Sequence, residues 1–109
     1  MVKLDKEFLL DDAEEKFSQQ GYVDESYALA DECVDLAQQW FDENEDNLSG
    51  KRRIMMRVEL KRYIKERLEL TNERKAYFVP AFIWAWFAQQ VITWIVVKII
   101  EWYFNNYVD

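Results

Sequence analysis

The sequence predicts an all-α protein of three to four helices, the last of them long and rich in aromatic residues. Two glycines and one proline in 109 residues are too few for an all-β chain, which needs turn formers every ~8–12 positions. Half the residues are apolar and 17% are aromatic, a composition that packs a core rather than leaving a disordered tail. The apolar residues also recur at helical rather than strand spacing.

In "LDDAEEKFSQQG", Asp11 stands three residues before Glu14, an acidic variant of the capping box, and the stretch closes on Gly21, a helix-end signal. A short helix over about residues 12–20 follows, extendable backward through Phe8. The second helix is carried by "VDESYALADECVDLAQQWFDENEDN". Asp24 is its candidate N-cap, Tyr27, Ala30, Val34, Ala37 and Phe41 form its apolar stripe, and Cys33 and Trp40 widen it.

"NLSGK" interrupts the pattern, with Ser49 as the next candidate cap. From Lys51 to about Leu70 strong helix formers predominate, and Met56, Leu60, Tyr63 and Ile64 define one face, with Leu68 and Leu70 flanking its far end. Pro80 suits a first helical turn, so a fourth helix runs over about residues 80–104.

The charge is strongly asymmetric. Of the net −7, residues 1–50 contribute −12, residues 51–76 contribute +6 and residues 77–109 contribute −1. The chain thus divides into a charged helical region, 1–76 (acidic to 50, basic from 51), and a hydrophobic C-terminal helix, 77–109, packed together as one domain.

Several chemistries are disfavoured. With no histidine and one cysteine, Cys33, the chain offers no Cys/His zinc site, no histidine acid–base pair and no intrachain disulfide. Asp42, Asn44 and Asp46 alternate as in a calcium loop, but Asn47 stands where the loop needs glycine and Arg53 where it needs a bidentate glutamate. Carboxylate pairs such as Glu14/Glu15 lie in polar surroundings that do not raise a pKa for catalysis. The expectation is a non-enzymatic protein with no cofactor and no metal.

The basic block Lys51, Arg52, Arg53, Arg57, Lys61, Arg62, Lys65 and Arg67 could neutralise phosphates, but the acidic half competes for the same surface. Pairing with the acidic helices, within the chain or between subunits, is the simpler use, and nucleic acid is not the expected partner.

From Ala76 to Val97 no residue carries a formal charge, a length that suits a membrane-spanning helix and would place the N terminus inside. Against a span stand Gln89 and Gln90 in mid-segment and the interior residues Trp84, Trp86 and Trp94. On a helical wheel Gln89, Gln90, Thr93, Lys98, Glu101 and Asn105 share one side, opposite Ala88, Val91, Ile92, Ile95, Val96, Ile99 and Trp102.

A two-sided helix favours a protein contact, so the expected function is assembly, with a second copy or a protein partner. Trp84, Trp86, Ile92, Trp94, Ile95, Ile99 and Trp102 are the candidate contact residues. The alternative is a single-span membrane protein with an acidic and basic helical region on the cytoplasmic side. The first residues lack the apolar run of a signal peptide, which points to a cytoplasmic or intracellular setting. In style, the acidic start, missing histidine and aromatic tail resemble small proteins of tailed phages, which would imply a virion-associated assembly.

Overall fold

In the computed structural model, the described residues form four α-helices in order, α1 (Lys6–Phe17), α2 (Val23–Asn44), α3 (Arg53–Glu69) and α4 (Ala81–Tyr107), with a 3-10 turn, Glu45–Asn47, after α2. The structure describes residues 1–18, 23–69 and 81–108, and within them the side chains of all but residues 23, 69 and 81–85. Among the described residues there is no strand.

The first helix starts earlier than its sequence signal. Its N-cap is Asp5, whose carboxylate accepts the Phe8 amide at 3.1 Å, while Asp11 lies in mid-helix. Leu9, Leu10, Ala13 and Phe17 bury one face, and that stripe extends the helix back from the expected residue 12 to Lys6. Gly21, the expected terminator, lies outside the described residues.

Asp24 falls inside the first turn of α2 rather than at its cap. The buried face is Ser26, Leu29, Ala30, Cys33, Val34, Ala37, Trp40 and Phe41, and Tyr27, expected in the stripe, is 42% exposed. The packed stripe is centred about a hundred degrees around the helix from Tyr27, near Ser26, with Leu29 farther round still. Small side chains at 30, 33 and 37 let neighbouring helices approach closely.

The turn into α3 pivots on Gly50, whose φ of +82° lies in the left-handed region that side chains resist. Lys51 N then donates to the Leu48 carbonyl at 3.2 Å, and α3 opens at Arg53, two residues after the expected start. Met56, Leu60, Ile64 and Leu68 are buried along its inner face, as their spacing predicts.

The helix α4 is the spine. Its 27 residues span ~40 Å at 1.5 Å per residue, close to the 41 Å longest dimension of the molecule. Both α1 and α3 pack on α2 and on α4, so the α2–α4 pair forms the middle with α1 on one side and α3 on the other. Phe17 meets Phe87 and Trp94 edge-on at 6.2 and 5.7 Å, which pins the end of α1 to α4. Phe41 packs on Tyr103 at 5.1 Å and does the same for α2.

The segment before α1 is held by one side chain. Gln38 of α2 accepts the Leu4 amide at 2.9 Å and donates to the Val2 carbonyl at 2.8 Å, as a neighbouring backbone peptide would. Val2 and Leu4 can therefore enter the core without leaving that amide and carbonyl unpaired.

Candidate functional site

The aromatic C-terminal helix is the first place to look for a contact surface. Its two sides fall as the wheel predicts: Gln89, Gln90, Thr93 and Asn105 are exposed, and Val91, Ile92, Ile95, Val96 and Ile99 are buried. The buried side is covered by the chain's own α1, α2 and α3.

That placement decides what the expected contact residues can do. Ile92, Ile95 and Ile99 are 4%, 0% and 0% exposed, so an intact fold offers none of them to a partner. Trp94 and Trp102 are half-buried against the core, Trp94 on Phe17 and under Lys98, Trp102 on Tyr107. Among those whose side chains are described, Trp86 alone is well exposed, at 58%; the side chain of Trp84 lies outside the described residues. Among the described residues no helix is long and apolar enough to cross a membrane.

Among the described residues, the thiol and the carboxylates singled out in the sequence are not brought together. Cys33 is fully buried, and burial pushes its thiol far above the ordinary range, so it remains protonated and inert. Glu14 and Glu15 are solvated. Glu43 accepts a hydrogen bond from the Tyr63 hydroxyl at 2.8 Å, and burial together with that bond raises the Tyr63 pKa. Among the described residues no cluster of His, Cys, Asp and Glu is arranged to hold a metal ion. An open cleft of about 590 Å³ between Val2, Leu48, Lys51, Tyr103 and Val108 has Glu45 and Lys51 on its wall, and Lys51 is already paired with Glu59 at 2.9 Å.

The outer face of α3 is different. Ile54, Met55 and Val58 are 72%, 54% and 51% exposed and adjacent on one side of the helix. Lys61, Arg62 and Lys65 continue the same side, and together with Val58 and Glu66 they line a shallow groove. Hydropathy counting misses this face because α3 carries apolar residues on opposite sides, and the two stripes cancel. The signal that finds it is a second apolar group, Ile54, Met55 and Val58, on the side away from Met56, Leu60 and Ile64.

Among the described residues, the ion pairs do not join the acidic helices α1 and α2 to the basic helix α3. Lys6 on α1 bridges Asp31 and Asp35 of α2, the latter at 2.8 Å, so its partners lie within the acidic half. Those two carboxylates push the Lys6 pKa up to about 12. Arg57 faces Glu101 of α4 at 3.8 Å, and Arg67 lies over the Tyr63 ring at 3.8 Å. Lys61, Arg62 and Lys65 have no ion pair among the described residues. The outward side of α1, with Glu7, Asp11, Glu14 and Glu15 exposed, lies beyond the α2–α4 pair. One flank of the molecule is acidic and the other is basic and apolar.

No known protein family, curated protein or solved structure matches the chain. What it does must therefore be argued from these surfaces.

Proposed function

We propose that this is a non-enzymatic helical assembly protein whose contact surface is the outer face of α3. The observation that carries the reading is the conjunction on that face of three exposed apolar side chains with three cations that lack carboxylate partners among the described residues. Exposed apolar side chains grouped on one helix mark interaction surfaces, and charge beside them selects the partner. The proposal keeps the role expected from the sequence and moves its location, because α4 spends its apolar side on the chain's own core.

Sedimentation velocity in buffer without detergent tests it. The chain should sediment above its monomer mass of 13.3 kDa, increasingly so as concentration rises, and replacing Ile54, Met55 and Val58 together by serine should return it to monomer with its helicity unchanged. A monomer at every concentration, or a serine variant that associates as the parent does, refutes the proposal.

A further inference from the structure

The exposed faces of α1 and α3 share a spacing. On α1, Phe8 is followed by Asp11, Asp12 and Glu15; on α3, Val58 is followed by Lys61, Arg62 and Lys65. In both helices one apolar residue at i precedes three charges at i+3, i+4 and i+7, acidic in one and basic in the other. This is the repeat with which two parallel helices meet along a seam, each position opposite its counterpart.

All eight side chains are accessible to a partner: Phe8 is 49% and Val58 51% exposed, Asp11, Glu15 and Arg62 are exposed, and Asp12, Lys61 and Lys65 are half-buried. Within one chain the two faces cannot meet, because α2 and α4 lie between their helices.

We infer that the partner of the α3 face is the α1 face of a second copy, docked parallel so that Phe8 packs on Val58 and Asp11, Asp12 and Glu15 oppose Lys61, Arg62 and Lys65. Ile54 and Met55 extend the apolar end of the seam, beside the Leu4–Asp5 entry to the partner's α1. Such a contact covers two to three helical turns, so it is small, exposed at its rim and sensitive to salt. It should form in low salt at high protein concentration and weaken as salt rises.

This inference rests on the assembly reading above, and charge exchange separates the two. Glu15→Lys and Lys65→Glu are each expected to weaken self-association about tenfold in sedimentation velocity at low salt, since each puts like charges opposite one another. Glu15→Lys and Lys65→Glu together in one chain restore the opposite-sign pair in every contact and should recover the parent's association. Glu7→Lys with Lys65→Glu has the same net charge as that double variant but the wrong position, and should not recover it. Circular dichroism confirms that each variant keeps its helices.

If Lys65→Glu weakens association and Glu15→Lys does not, the α1 assignment is overturned while the α3 surface stands. Recovery by the Glu7 control as well would mean that net charge rather than register governs, and would also overturn it. A parent chain that is monomeric throughout overturns both readings. Its retention on phosphatidylserine vesicles in that case would assign the α3 face to an anionic bilayer surface instead.

Discussion

Ile95→Ala tests the assignment of the α4 apolar side to the core of a single chain. Ile95 is fully buried, and the change removes its Cγ1, Cγ2 and Cδ1 groups. At about 0.8 kcal/mol for each buried carbon group, the lost transfer free energy is ~2.4 kcal/mol. The cavity left among Val91, Ile99 and their neighbours adds to it, for a total of about 3–4 kcal/mol. A domain of this size has roughly 5–15 kcal/mol in all, so the variant should fold but with a large part of its stability gone. In urea unfolding followed by tryptophan fluorescence, an m-value of about 2 kcal/mol/M turns that loss into a midpoint ~1.5–2 M lower. The loss should not depend on protein concentration, because the contacts lie within one chain. Trp86→Ala, at a side chain 58% exposed, should change the stability by less than ~0.5 kcal/mol and serves as the control. The reasoning fails if Ile95→Ala unfolds like the parent, or if its loss appears only at concentrations where the parent self-associates.

Cys33 should not react with a thiol reagent in native buffer and should react at the rate of a free thiol once urea unfolds the chain; rapid reaction of the folded protein would contradict its burial. The two carboxylates beside Lys6 hold its folded pKa above the ordinary 10.5, so its contribution to stability is fully present below that value and is lost as pH rises through about 12. Because its side chain is 43% exposed, Lys6→Met should cost under ~1 kcal/mol near neutral pH, in a gap to the parent that narrows above about pH 11; a gap that stays constant would refute the pairing.

The all-α class, a helix count of three to four and the buried sides of α3 and α4 were legible in the sequence, since Met56, Leu60 and Ile64 and the run Val91 to Ile99 keep helical spacing. Ile100, Tyr103 and Phe87 join that core as well, beyond the stripe the wheel marks out. The start of α1 was less legible, because Asp5 and Asp11 are both acceptable caps and only the packing of Leu9 and Leu10 chooses between them. Tyr27 was misplaced for a similar reason: an aromatic at helical spacing reads as core until the packed stripe is seen to run through Ser26, Ala30, Cys33 and Ala37 and to leave Tyr27 at its edge.

The proposed contact surface was the hardest to read. A helix as apolar as α4 looks like an interface until one knows that three others cover it, and which helix covers which is a long-range fact that no local pattern contains. The exposed residues of α3 are individually unremarkable, since scattered surface Ile, Met and Val are common. They acquire meaning when the fold puts them together on one side, exposed among the described residues.

The placement of α1 and α3 on opposite flanks of the α2–α4 pair has a geometric consequence. A contact between unlike faces does not exhaust itself at two copies, because each pair still presents one acidic and one basic end. Growth then stops only when the rotation relating successive copies brings the ends together as a ring; any other rotation continues as a helical fibre. The angle at which one α1 lies on the next α3 would therefore set the symmetry of the whole, and a few degrees there would separate a closed particle from an open polymer.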